Sequence, residues 1–561
     1  MSYPVMGLGT EPSDMKYRFN WNAPIVASTN RSGVIYHGGN VVFKSVDNGV
    51  TWDVISDDLT RNDKEKQGPG GIPITNESAG GENYNTISYM AASNHETGVL
   101  YVGTDDGRLH ITRNDGETWQ EISPPGIGES LINSIEISQH DPGTAWAVVT
   151  KYKFNDNRPY LFETKDYGKT WTSHNKGFDP AYFVRVVRED PYIKGLLYAG
   201  TENGLFVSRN KSEGWLPMQL NLPVCPINDL YIQDNDLIVA TSGRAFWILD
   251  DLTVLQESAT GYDENSAIVF RPKPTVKFGI NGGRSAPSNA GQNPLPGVII
   301  DYHLPEDSLE IEMVIRDDAG KTVRSYSSVK DSNAPEKTVL KTHKGVNRFN
   351  WNLRTENLPK VEGVRLLTSL NGHSVPPGLY TVTLKVDGDS SKANIVVVPY
   401  PHIEAEKSDY NDQYAFLNDV RDVFSDIHNQ VNYSNEVVSQ LKLQSKFLKK
   451  DSTYKELTVL SDSIIGDIED WKSELIQPKQ KTFQDIINFP NQLNAELANL
   501  AQRVDGLDPV VTQGARERYS DLSNSWKDLK NALTSIYDGP LQSYQKKYLE
   551  MKVPIIHKRM E

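Results

Sequence analysis

The sequence predicts a multidomain, mainly β protein: β-propeller blades of the Asp-box type over residues 1–255, an immunoglobulin-like β-sandwich over 297–400 and an α-helical bundle over 401–561. Three observations predict it. A turn motif recurs in the first half, a strict apolar–polar alternation follows a Gly/Pro-rich break, and the hydrophobic period changes from 2 to 3.6 after Pro401.

The turn motif is the most specific of the three. SVDNGVTW (Ser45–Trp52), TRNDGETW (Thr112–Trp119) and TKDYGKTW (Thr164–Trp171) share the pattern Ser/Thr-x-Asp/Asn-x-Gly-x-Thr-Trp, and SRNKSEGW (Ser208–Trp215) is a worn fourth copy. Each reads as a β-turn between antiparallel strands. Asp47, Asn114 and Asp166 can bond the backbone of their own turn, the glycine can take a positive φ, and the tryptophan is expected to return to the core. These acids are therefore expected to be structural.

Each motif closes a longer unit of three short alternating strands and a fourth. ISYMAAS, VLYVGTDDG and RLHITRND precede Trp119, and YFVRVVRED, LLYAGTEN and GLFVSRN precede Trp215. A fifth unit, NDLYIQD, LIVATSG and RAFWILDD, ends near Asp251 without the turn motif. The spacing from Trp119 to Trp171 and on to Trp215 fits the roughly 40 to 50 residues of a propeller blade, and the longer first interval holds an insertion, residues 61–85. Five blades and twenty strands are expected. They either close directly into a ring or form part of a larger propeller.

Residues 256–296, which include FGINGGRSAPSNAGQNPLPG, read as a linker. Beyond it Leu309, Ile311, Met313 and Ile315 share one face of a strand, and Tyr380, Val382, Leu384 and Val386 share one face of a hairpin strand that turns at Asp387-Gly388. Helical stripes follow. Tyr410, Tyr414, Leu417, Phe424, Ile427 and Val431 form the first, starting after Ser408 as the expected N-cap. Leu522, Trp526, Leu529, Leu533 and Ile536 form the last, and such stripes predict a helical core, not a cofactor box.

Bulk properties narrow the function. With 58 Lys plus Arg against 73 Asp plus Glu, the net charge is -15, which argues against nucleic acid as a partner. No apolar run approaches the roughly 18 residues of a membrane span, and MSYPVMGLGTEPSDMKYRF lacks the charged and apolar regions of a secretory signal. Cys225 is the single cysteine, so neither an internal disulfide nor a cysteine-rich metal site is expected. The histidines show no zinc-hydrolase spacing, and Asp57, Asp58, Asn62 and Asp63 fit no EF-hand, so neither metal nor other cofactor is expected.

Carboxylates that the turns do not explain are the remaining source of chemistry, because a glycosidase needs two of them facing across a cleft. They are Glu77 and Glu82 in the insertion, Asp105 and Asp106 in GTDDG, and Asp250 and Asp251 in WILDD. Glu82 and Asp106 are the expected catalytic pair, with Glu77, Asn83, Tyr84 and Asp105 as ligand-binding residues. A hairpin turn also accounts for Asp105-Asp106-Gly107 by itself.

An ordered series of segments, GRAFWILDD, NPLPGVIIDYHL, VNRFNWNLR, VPPGLYTVTL and NFPNQLNAELANLA, resembles the bacterial exported proteins with a sortilin-like BNR-repeat propeller, often classed as glycosyl hydrolases. The resemblance spans essentially the whole chain. Members are usually longer, with a signal peptide and further blades in front, and RFNWNAPIVAST looks like the middle of their propeller. The resemblance implies a periplasmic, outer-surface or secreted protein, with an N-terminal propeller half on the full-length chain. Its sortilin side implies a peptide or protein ligand, and its hydrolase side a carbohydrate substrate. Binding of a peptide, protein or glycan is the favoured reading, and glycoside hydrolysis by paired carboxylates is the alternative.

Overall fold

A computed structural model of the chain describes residues 9–68, 81–209, 213–278, 295–329 and 339–553. The chain divides into two compact units, Met1–Tyr262 and Asp263–Glu561.

The first unit is a series of antiparallel sheets, each formed by consecutive strands. Sheet one holds β1 (Ile25–Ala27), β2 (Ile35–Gly38), β3 (Val42–Ser45) and β4 (Asp53–Val54); sheet two holds β5 (Ile87–Ala92), β6 (Leu100–Thr104), β7 (Leu109–Thr112) and β8 (Gln120–Glu121). Sheet three holds β9 (Leu131–Ile137), β10 (Ala145–Lys151), β11 (Asp156–Thr164) and β12 (Thr172–Ser173). Sheet four holds β13 (Val184–Glu189), β14 (Leu197–Thr201), β15 (Gly204–Ser208) and β16 (Leu216–Pro217). Among the described residues the fifth has only β17 (Ile227–Gln233), β18 (Asp236–Thr241) and β19 (Phe246–Leu249), so it lacks the expected twentieth strand. That sheet also lacks the repeated turn that brings the fourth strand back in the others. Helix α1 (Thr253–Thr260) follows instead and places Leu252 and Leu255 on the apolar core of the fourth and fifth sheets.

Successive sheets stack through their first strands. β5 packs on β1 and β2, β9 on β5 and β6, β13 on β9 and β10, and β17 on β13 and β14. Among the described residues, no strand of the fifth sheet packs in this way on the first.

The repeated turns form as their residue types require. The Asp47 carboxylate accepts from Thr51 N (2.9 Å), Thr51 Oγ1 (2.6 Å) and Ser45 Oγ (2.7 Å). Asp166 repeats this set with Thr170 and Thr164, and Asn114 uses its amide oxygen in the same way toward Thr118 and Thr112. These acids are structural. The tryptophans differ from expectation: Trp52, Trp119 and Trp171 are half-buried and not fully in a core, and the indoles of Trp119 and Trp171 reach across the seam to the preceding sheet. Trp119 Nε1 donates to Ile55 O (2.8 Å), Trp171 Nε1 to Ile122 O (2.7 Å) and Trp215 Nε1 to His174 O (2.8 Å), in each case a carbonyl of the preceding sheet's last strand or the residues just beyond it. The motif thus joins sheets as well as closing them.

In the second unit two sheets enclose one core. The smaller runs β20 (Ile268–Val269), β22 (Val298–Leu304) and β25 (Gly345–Trp351). The larger has the order β21-β27-β26-β23-β24, built from β21 (Thr275–Val276), β23 (Ile311–Asp317), β24 (Thr322–Ser327), β26 (Gly378–Val386) and β27 (Asp389–Val398). Met313, Ile315, Val382 and Leu384 all point into the core with Trp351 and Tyr302, as their alternation requires. The stretch expected as a linker carries β20 and β21, so part of it belongs to these sheets.

Five helices follow: α2 (Lys407–Leu448), α3 (Lys455–Ser473), α4 (Leu493–Val504), α5 (Gln513–Ile536) and α6 (Gln542–Glu550). The N-cap of α2 is Glu406, two residues before the expected Ser408, because Glu406 and Asp409 form a reciprocal capping box. Leu417, Phe424, Ile427, Val431, Trp471, Leu497, Leu522 and Trp526 share one core, which confirms the helical stripes. The loop after β25 packs on the same core through Leu358 and Val361. Among the described residues no helix is long and apolar enough to cross a membrane.

Candidate functional site

The expected site residues gather where the turn between β6 and β7 meets the loops that follow β4 and precede β5. Thr104 ends β6 and Leu109 begins β7, so Asp105 and Asp106 occupy a hairpin turn. Asp106 is fully buried. Its Oδ1 accepts from Thr104 Oγ1 (2.6 Å), and its Oδ2 from Asn85 Nδ2 (2.6 Å) and Arg61 N (2.8 Å). Both oxygens are used within the protein, which corrects the expectation of a catalytic role: Asp106 ties three loops together and presents nothing to a substrate.

Asp105 is different. It is partly accessible and accepts only from Thr86, at 2.9 Å from N and 2.8 Å from Oγ1. Desolvation, and then the neighbouring Asp106 charge, push its pKa up to about 8, so the carboxyl is largely protonated at neutral pH.

The rest of the set divides into buried ties and an exposed platform. Asn83 is buried and its Nδ2 donates to Phe19 O (2.8 Å). Tyr84 is buried, donates to Glu129 Oε1 (2.6 Å), and is held well above the ordinary phenol range by burial and by Glu129. Glu129 also pairs with Lys66 at 2.6 Å. Neither Asn83 nor Tyr84 is therefore a ligand contact as expected, since both polar ends turn into the protein. Glu77 lies outside the described residues. Asp251, weighed with Asp250, bonds Thr253 N and Oγ1 at the start of α1 and is structural.

Glu82 does stand at the surface. Its backbone bridges that of Asn20, and its Oε1 accepts from Trp21 Nε1 at 3.1 Å. Trp21 is 71% exposed. A large aromatic ring is thus held in open solvent, its N–H fixed by a carboxylate and its ring lying close over the backbone at Gly81. Trp21 lies outside every repeated motif, so no pattern pointed to it. Its partner Glu82 lies 61 residues on, beyond all four strands of the first sheet along the chain.

A second polar cluster lies on the first strands of sheets two to five, and sequence reasoning missed it. Each of these strands carries a β-bulge at an equivalent residue, Ser88, Asn133, Arg185 and Asn228. Two of them reach the next sheet: Ser88 Oγ donates to Ile132 O (2.8 Å) and Asn133 Nδ2 to Arg185 O (2.5 Å). Beyond the bulges, Arg188 on β13 joins its own sheet to three others. It donates to Tyr89 OH (3.3 Å), Ser134 Oγ (3.3 Å), Leu230 O (2.9 Å) and Asp229 Oδ1 (2.6 Å), and lies 3.5 Å from Glu136 Oε2. Burial pushes Glu136 up to about 7 despite Arg188. The available signal was positional: ISYM, INSIE, VRVVR and INDLY align, and each places polar residues where a two-sided buried strand would be apolar. Among the described residues no group of three or more His, Cys, Asp or Glu is placed to hold a metal ion.

No known protein family matches the sequence, and no curated protein is similar to it. Solved structures give distant likenesses. YCF48 bound to D1 peptide is 18% identical over 42% of this chain and 65% of its own, with a TM-score of 0.28. The extracellular domain of a hybrid two-component system from B. thetaiotaomicron is 11% identical over 68% of this chain and 44% of its own (TM-score 0.29). A GH74 xyloglucanase from Xanthomonas campestris is 11% identical over 70% of this chain and 47% of its own (TM-score 0.30). The chain thus spans less than two thirds of each of these structures, and likenesses this distant carry nothing about its ligand or chemistry.

Proposed function

We propose that the stacked sheets are β-propeller blades that capture a peptide, protein or glycan, and that Trp21 with Glu82 is the anchor. The observation that carries this reading is an indole 71% exposed yet fixed through its N–H. Such a ring offers contact area with little ordering left to lose on binding, and exposed aromatics of this kind dominate binding energies. In the same reading the protein is exported, as in sortilin-like BNR-repeat proteins, and the eight-stranded sandwich of the second unit is immunoglobulin-like.

The test is capture of a panel of peptides and oligosaccharides by the full chain. Trp21→Ala is expected to weaken capture by about 2 kcal/mol, roughly 30-fold, with an unchanged melting temperature. Retention of every affinity by Trp21→Ala would overturn the assignment.

One observation favours the hydrolase reading: Asp105 is a desolvated carboxyl that remains protonated at neutral pH, as a general acid must. Against it, Asp106 is saturated and Glu82 is bonded to Trp21, so neither stands free as the second carboxylate. Release of reducing sugar by the wild type, lost in Asp105→Asn, would favour catalysis over binding.

A further inference from the structure

The second unit contains a cavity of about 420 Å³ between the loop that follows β25 and helices α2 and α4. Its volume lies within the range of small-molecule sites, roughly 300–1,000 Å³. The floor is apolar, formed by Leu417, Phe424, Leu497 and Ala498. Polar groups line the same cavity, and several of them have capacity to spare.

Thr368 lines the cavity, and its Oγ1 is buried without a hydrogen-bond partner. A buried hydroxyl in this state costs free energy unless something supplies a partner. Arg421 also lines the cavity, and its bonds run through Nε and Nη2 to Asp422, the next residue, which is largely exposed and gives a weak pairing. Arg354 is the second cation. Its Nη1 donates to Gly372 O (2.7 Å) and to Asp505 Oδ2 (2.8 Å). The Asp505 carboxylate also lines the cavity but is already committed to Arg354, Ser374 N and Ser374 Oγ. The lining therefore offers guanidinium donors, an unmatched hydroxyl and no uncommitted carboxylate.

We propose that this cavity binds an amphipathic organic anion, a carboxylate on a hydrocarbon body, with the carboxylate at Arg421 and Thr368 and the hydrocarbon over Phe424 and Leu497. The site belongs to the second unit and is independent of the Trp21 platform. Its chemistry follows from the pairing of an apolar floor with a cationic mouth, since an aliphatic alcohol would gain the floor but leave the guanidinium unpaired, and an aliphatic ammonium would be repelled by it.

The test is calorimetric titration of the full chain with decanoate, decanol and decyltrimethylammonium. Decanoate is expected to bind at least tenfold more tightly than the other two. Arg421→Gln should remove the preference for decanoate over decanol while leaving decanol affinity unchanged. Ala498→Phe should abolish binding of all three by filling the floor; if it lowers the melting temperature, Ala501→Leu on the same wall provides the second filling variant. Equal affinity for decanoate and decanol in the wild type, no binding of any probe, or unchanged affinity in a folded filling variant would each overturn the proposal.

Discussion

The first sheet and its three successors carry the same motif in different settings. In sheets two, three and four the motif tryptophan donates to a carbonyl of the sheet before it. Among the described residues no sheet precedes sheet one, and Trp52 Nε1 turns back to its own Gly49 O at 2.9 Å. The turn glycine shows the same contrast: a Cβ at Gly168 would lie 2.4 Å from Ile122 Cδ1, whereas at Gly49 its nearest neighbour is the motif's own Trp52 at 3.6 Å. The fifth sheet is unmatched on the opposite side. Tyr231, Ile238 and Ile248 form a cross-strand row, as Ala91, Tyr101 and Ile111 do in sheet two. Tyr101 and Ile111 are buried with Ile135 of sheet three, whereas Phe246 on the corresponding face of sheet five is 77% exposed. One local sequence pattern thus serves two purposes: it always closes a turn, and it joins sheets only where a neighbour exists.

The sharpest way to break this comparison is to delete paired motif residues. Trp171→Ala removes apolar area and an intersheet hydrogen bond and should cost about 3 kcal/mol, whereas Trp52→Ala should cost about 1 kcal/mol. Equal costs by urea unfolding would show that the seam bond is incidental. The glycines come next. Gly168→Ala must take a left-handed conformation and also displace Ile122, for about 2–3 kcal/mol, while Gly49→Ala bears only the conformational part, about 1 kcal/mol.

A third test contrasts two kinds of acidic turn. Asp47, held by three donors from its own turn, sits at about 2, whereas Asp105, desolvated beside Asp106, sits at about 8. A carboxyl raised in the folded state contributes stability that is fully present below its unfolded value near 4 and is lost as pH rises through about 8. The wild type should therefore lose on the order of 5 kcal/mol between pH 4 and pH 9 from this group. Asp105→Asn should flatten that slope, and an unchanged pH profile of the melting temperature would contradict the burial of Asp105. The smallest effect is expected at the unmatched end. Phe246→Ser with Ile248→Thr should leave stability within about 0.5 kcal/mol yet reduce light scattering at high concentration, because it removes an exposed apolar face.

Much of this architecture was legible before any coordinates. A turn whose geometry demands Asp, Gly and Thr at fixed spacing announces itself, and strict alternation at Met313, Ile315, Val382 and Leu384 fixed which side chains meet. The site was less legible because burial decides what a carboxylate does. Asp105 and Asp106 are neighbours of identical type; one is bonded by Thr86 and the other is saturated by Thr104, Asn85 and Arg61, and Arg61 lies 45 residues away along the chain. Trp21 could not be found by period or motif, since its exposure depends on a backbone bridge between Asn20 and Glu82.

Arg188 bears on how this unit comes apart. Arrays of repeated elements that touch only their neighbours tend to open one repeat at a time from the ends. A single guanidinium bonded to Tyr89, Ser134, Leu230 and Asp229 links four repeats directly, so opening any one of them disturbs a group shared by the rest. Amide hydrogens of the second to fifth sheets should consequently exchange with solvent deuterium as one cooperative block, while those of the first sheet, which sends no side chain to that guanidinium among the described bonds, exchange earlier and by themselves.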